Sequence, residues 1–214
     1  AVLNMNVDQG VAGWTRVTTT GTFLDACEVD DILYAVVSRT IDGTPTIFLE
    51  AFDYDSFTDC GTVLDTGPLS SWTGLTYLNG ETVQIRGDDM TMESQVVAAG
   101  TVASKIGDVL TSVTTFEAGL AIPTPTLEPM PHVIDQFSTL SKVSVDFYES
   151  RAPYINGYRV KAYLPGESVT SAASPLITGF RAVQYRGWGD RVSILITAPE
   201  PQPMHVRAII MEAP

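Results

Sequence analysis

The chain has 214 residues, 44% of them hydrophobic and 17% charged, and a formal net charge of −13. That balance allows a sizeable core and excludes a disordered chain, which needs low hydrophobicity beside high net charge. No run of about 18 apolar residues occurs, so no membrane-spanning helix is expected, and an acidic surface repels both phosphate backbones and anionic headgroups.

The acidity is uneven. Residues 1–60 hold ten acids and two bases, residues 61–125 seven and two, and residues 126–214 eight of each. The negative charge therefore belongs to the first 125 residues. The start, Ala1 to Val7, has neither an initiator Met nor a basic leader and reads like the middle of a strand. The expectation is a longer parent chain, cut or processed at Ala1.

Along the chain, helix signals are nearly absent. Short β-branched and aromatic runs alternate with Gly, Pro, Asn and Asp, the pattern of sandwiches and small barrels. Phe23–Val29 alternates weakly and is expected to pair with the clearest hairpin, Ile32–Arg39 with Thr46–Phe52, turned at Asp42-Gly43. Cys27 and Cys60 are too few for a disulfide scaffold; they read as reduced thiols, with one mutual disulfide as the alternative.

A second β region begins near Leu75, with turns at Asn79-Gly80 and Gly87-Asp88-Asp89. Thr82–Arg86, Val102–Ile106 and Val109–Phe116 are its expected strands. Ile122–Pro131 carries four prolines and reads as a linker or crossing. Beyond it, Val133, Phe137 and Leu140 have helical spacing, so one short helix is expected. Val143, Val145 and Phe147 then alternate with polar residues as a half-buried strand. Val192, Ile194 and Ile196 repeat the pattern, as do Val206, Ala208 and Ile210, with Pro199–Pro203 linking these last two strands. The expected fold class is all-β, with two or three β-sandwich or small-barrel subdomains. These are 1–60, continuing a truncated β domain; 61–125, a small barrel read as an insertion; and 126–214, a sandwich that packs with 1–60.

The chemistry-bearing motifs are missing. There is no phosphate loop, no His-Glu-x-x-His, no Cys-x-x-Cys and no nucleophile elbow. His132 and His205 read as structural. Asp53–Gly61 spaces acids at positions 1, 3 and 7 of a calcium-like loop, but Phe57 and Thr58 stand where an EF-hand needs a ligand and a Gly. It reads as a solvated acidic loop. Asp30-Asp31 and Asp88-Asp89 read as turn and solubility residues. Gly187–Arg191 reads as an aromatic turn. No residue is assigned a catalytic, cofactor or metal role, and no cofactor is expected.

Several segments carry a resemblance. Gln9–Arg16 with Thr20–Phe23 is similar to a W-[ST]-R-x-x-T-x-G segment. Asp31–Gly43 resembles V-x-R-T-I-N-G, Phe48–Glu50 resembles Y-[IV]-E, and Asp59–Gly61 resembles D-[SC]-G. Gly74–Val83 resembles G-L-x-H-L-E-G-x-T-V, and Ala118–Ile122 stands at V-G-L-P-Y. Val143–Ser150 and Pro175–Gly179 also fit, while Gly187–Arg191 departs from the usual G-x-W-D-x-x-G. In this order the segments resemble the tail nozzle proteins of podovirus-like phages, also called tail tubular protein B or stabilisation proteins. The resemblance implies a structural, non-enzymatic virion protein, made in the host cytoplasm and assembled as a ring around the DNA exit channel. It implies other tail subunits as partners: further copies, adaptor and tail proteins. Physics adds that an acidic lumen lets DNA slide. The competing expectation is a carbohydrate- or receptor-binding β-module with Trp14, Trp72 and Trp188 as stacking platforms; a third is a glycan hydrolase with two facing carboxylates.

Overall fold

The computed structural model describes residues 2–6, 11–123, 126–127, 132–151, 153–163, 173–192 and 194–212, with the side chains of 2–6, 11–15, 126–127, 132–141, 184–192 and 212 left undescribed. The fold is all-β. Among the described residues there are twenty strands and one 3₁₀ turn.

β1 (Val2–Asn6) pairs with β2 (Val11–Thr15). β3 (Thr22–Val29), β4 (Ile32–Ile41) and β5 (Thr44–Ala51) form an antiparallel meander. Asp42 and Gly43, at φ 47° and 73°, make the two-residue turn read from the sequence. Asp30 and Asp31, at φ 52° and 62°, do the same between β3 and β4. Such turns need left-handed backbone at both central positions, which Gly, Asn and Asp tolerate best.

β6 (Asp59–Leu69) and β7 (Ser71–Trp72) lead to a 3₁₀ turn at Thr76–Leu78. Next come β8 (Thr82–Gly87), β9 (Met90–Val96), β10 (Val102–Ala103), β11 (Lys105–Ile106), β12 (Val109–Leu110) and β13 (Val113–Leu120). The sheet order is β6–β13–β8–β9, with small pairs β7–β10 and β11–β12 beside it. The expected strand Val102–Ile106 is broken at Ser104. That buried hydroxyl accepts a 2.6 Å hydrogen bond from Trp72 Nε1, while Ser104 N donates to Ser70 O. Trp72 stacks on Phe116 at 4.4 Å and 7° between planes, at the centre of a core with Leu75, Leu78, Val83 and Ile85. Ile41 belongs to this core, and Phe48 packs against it, so the meander is seated on it.

β14 (Thr126–Leu127), β15 (His132–Ser150), β16 (Tyr154–Ile155), β17 (Tyr158–Arg159), β18 (Ile177–Val192), β19 (Ile196–Thr197) and β20 (His205–Glu212) complete the chain. They form the sheets β14–β19–β16–β17 and β18–β15–β20 around a second core of Val143, Val145, Phe147, Ile155, Ile177, Ile194 and Ile196.

Three expectations are corrected here. Val133, Phe137 and Leu140 lie in β15, not in a helix; antiparallel pairing with β18 overrides their helical spacing. Gly187–Arg191 is not a turn but part of β18, with Trp188 opposite Thr139. In β20 the apolar alternation is broken by a bulge: Ala208 faces Asp146 but Val206 faces Phe147, leaving Arg207 as the extra residue. The side chains that pack inward are therefore Val206, Ile209 and Met211, while Ala208 and Ile210 are exposed.

The two cores are joined by polar contacts. Arg151 Nη1 donates to Asp89 O at 2.6 Å, and Gln202 Nε2 donates to Asp89 O and to Thr91 Oγ1 at 3.1 and 3.0 Å. Thr91 Oγ1 donates to Glu200 Oε2, and Gln84 Nε2 to Pro199 O. The Pro199–Pro203 segment thus grips the β8–β9 hairpin. The parts of Ile122–Pro131 at 124–125 and 128–131 lie outside the described residues; Pro123 O accepts from Thr18 Oγ1 at 3.1 Å.

Candidate functional site

Two acids of the first 60 positions, Glu50 and Asp59, converge on Arg39. Its place on β4 points it to the inner face of the meander, where its side chain is 1% exposed. A buried guanidinium needs carboxylates and a full set of acceptors. Nε and Nη2 donate to the two oxygens of Glu50 on β5, each at 2.7 Å. Nη1 and Nη2 donate to the two oxygens of Asp59, at 2.9 and 2.7 Å. Nη1 also donates to Thr20 Oγ1 at 2.6 Å. All five N–H donors are engaged. Asp59 further accepts from Thr19 Oγ1, Thr20 Oγ1 and Thr20 N at 2.8–3.1 Å. Gly21 lets this segment press against β4: a Cβ there would lie 2.4 Å from Ser38 O.

At Arg39 and Asp59 burial works against the charge, and the hydrogen bonds outweigh it. Burial alone would lower the Arg39 pKa, yet the bonds to Glu50 and Asp59 hold it above the ordinary guanidinium value. Burial alone would raise that of Asp59, yet the bond from Arg39 and the bonds from Thr20 hold it below the ordinary carboxylate value. Cys60 lies beside them, half-buried and free; burial and then the Glu50 charge push its thiol up to about 12. The other free thiol, Cys27, is exposed.

A second buried carboxylate, Glu117 on β13, organises the loop before β6. Its Oε1 accepts from Phe57 N at 2.6 Å, Thr58 Oγ1 at 2.9 Å and Ser56 Oγ at 3.1 Å. Its Oε2 stands 3.5 Å from Arg86 Nη1, and the Arg86 guanidinium lies over the Phe57 ring at 4.7 Å.

Above the Arg39 cluster opens a cleft of about 880 Å³. Its walls are Arg16–Thr19, Phe48–Asp53 and Thr58–Val63, with Phe23, Tyr77 and Ile122 closing its sides.

The acids singled out in the sequence now have places. In the calcium-like loop Asp59 is committed to Arg39, and Asp53 Oδ1 accepts from Asp55 N. Asp88 accepts from Thr114 N and Thr115 N, capping β13, and Asp89 pairs with Arg86 and Arg151. His205 opens β20 with Nδ1 3.2 Å from Tyr148 O; the side chain of His132 lies outside the described residues. Trp72 is 2% exposed in the first core and cannot be a stacking platform; the side chains of Trp14 and Trp188 lie outside the described residues. Spacing does not reveal the Arg39–Glu50–Asp59 cluster, because the three residues meet only through the meander and the start of β6. The signal that contains them is the set of resembling segments.

No protein-family model matches the chain, and no curated protein matches its sequence. No described helix is long and apolar enough to cross a membrane.

Proposed function

We propose that this chain is a structural subunit of a phage tail, part of a ring around the DNA exit channel, and that it catalyses nothing. One observation carries this reading. Residues drawn from four separate resembling segments meet in one network: Thr20 and Gly21, Arg39, Glu50 and Asp59. The segments that carry the resemblance thus form one unit in the fold, which supports reading them together. A fifth segment behaves alike. Leu75, Leu78 and Val83 are core residues, Tyr77 packs on Phe48, and Glu81 accepts from Asp42 N.

The network also bears on chemistry. A general acid or nucleophile has to reach substrate with a free atom. Here the oxygens of Asp59 and Glu117 Oε1 are occupied by hydrogen bonds that hold chain segments together. These groups stabilise architecture. Exposed apolar side chains on the outward face of the meander, Val29, Ile32, Ile47 and Leu49, suit a protein that buries more surface on assembly.

The test is location. Antiserum against the recombinant chain is expected to label tails of intact virions by immunoelectron microscopy. A protein found only in the soluble lysate, and never in purified particles, overturns the proposal.

A further inference from the structure

The cleft above Arg39 has an unusual wall. In a sheet face, alternate residues line a cavity, because side chains alternate. Here Phe48, Leu49, Glu50, Ala51 and Phe52 line it consecutively, and so do Thr58–Val63. Consecutive lining means that strand edges, not faces, form the walls. Among the described residues β5 pairs only with β4, and β6 only with β13, so each strand has a free edge.

The free groups of β5 can be named. Phe52 N donates to Leu33 O across the hairpin. Bonded pairs alternate along an antiparallel ladder. Residues 44, 46, 48 and 50 therefore bond β4, while Pro45, Ile47, Leu49 and Ala51 present their backbone outward. Pro45, which has no N–H, sits on the outward parity, as it must. Leu49 and Ala51 both line the cleft, and among the described residues no partner holds their N–H groups.

Two further features describe the occupant. A strand residue at 3.3 Å rise, 4.8 Å spacing and 10 Å thickness fills roughly 160 Å³, so the cleft takes about five residues. The charge around it is negative. Glu50, Asp53 and Asp59 outnumber Arg16 and the underlying Arg39, and residues 1–60 hold ten acids against two bases. Phe23 and Phe52, stacked with centroids 6.5 Å apart, add an aromatic wall.

We propose that this cleft is a strand-addition site that takes an extended, basic segment of a partner protein. The segment pairs with the backbone of Leu49 and Ala51 and sets a Lys or Arg toward the carboxylates of Glu50 and Asp53. Strand addition draws affinity from main-chain bonds and specificity from alternate side chains. This assignment stands whether or not the chain belongs to a tail.

The experiment titrates the whole chain with two capped five-residue peptides, one of a Thr, two Val and two Lys, the other with Glu in place of Lys. The Lys peptide is expected to bind saturably, at least tenfold tighter than the Glu peptide and more weakly at high salt. Amides of Leu49 and Ala51 should gain exchange protection, while those of Thr46 and Phe48 stay unchanged. Ala51→Pro removes one outward donor on the parity that already holds Pro45 and should weaken binding at least tenfold. Equal binding of the two peptides, no binding, or protection elsewhere overturns the proposal. The protection pattern in the unsubstituted chain decides the matter even if A51P folds poorly.

Discussion

Two polar regions hold this molecule together, and they are built on opposite logic. Around Arg39, one buried cation serves two carboxylates and Thr20 Oγ1, Asp59 accepts in turn from three threonine groups, and four chain segments are tied to one point. At the joint between the two cores, side chains reach mostly for backbone carbonyls: Arg151 and Gln202 for Asp89 O, Gln84 for Pro199 O. The difference lies in what is left behind when a partner goes. Removing Arg39 strands two carboxylates in a buried place. Removing Gln202 leaves a neutral carbonyl that keeps its bond from Arg151. A buried ion cluster is thus a poor source of net stability but a severe penalty when broken, whereas the neutral amide bonds of the joint give way in small steps.

That contrast breaks most readily at Arg39. Arg39→Met should cost about 3–5 kcal/mol, the usual result of leaving a buried pair half-made. Urea unfolding measures it, and a loss below about 1 kcal/mol would mean that water reaches the carboxylates freely.

Acid should act on the same region next. The Asp59 pKa is depressed in the folded state, so its contribution is fully present above the unfolded carboxylate range and is lost as pH falls through the folded value. Stability should decline from about pH 4 downward. Asp59→Asn should flatten that limb while lowering stability at neutral pH. An unchanged acid limb in the variant would transfer the effect to other carboxylates.

The smallest effect is expected at the joint. Gln202→Ala removes two neutral bonds and should cost about 1 kcal/mol. Hydrogen exchange should show the loss locally, around Asp89 and Thr91, with the Arg39 network untouched. A cost as large as that of Arg39→Met would erase the distinction between the two regions.

Much of the fold is legible in the sequence, and the reasons are local. Asp42-Gly43 announces its turn because few other pairs take left-handed backbone twice, and Val143, Val145 and Phe147 announce a strand because one face is buried. Elements are misread where a distant partner decides. The helical spacing of Val133, Phe137 and Leu140 yields to a long ladder with β18, and the bulge at Arg207 shifts the inward set of β20 by one residue. The site is hidden for the same reason. Glu50 and Asp59 lie eleven and twenty residues beyond Arg39 along the chain, at separations that carry no signal until β4, β5 and β6 are assembled.

The tight turns carry a consequence for how such a chain changes over time. Asp30-Asp31 and Asp88-Asp89 each hold two left-handed residues without a glycine. Asp88 and Asp89 are bound by what their carboxylates hold, whereas Asp31 is exposed and makes no bond among the described residues. Its backbone strain secures nothing nearby. A glycine there would relieve that strain and trim the excess of negative charge in one step, at some entropic expense. The β3–β4 turn is therefore a reserve of stability, available to offset a damaging substitution elsewhere, and a mutable spot where the Asp88-Asp89 turn is already committed.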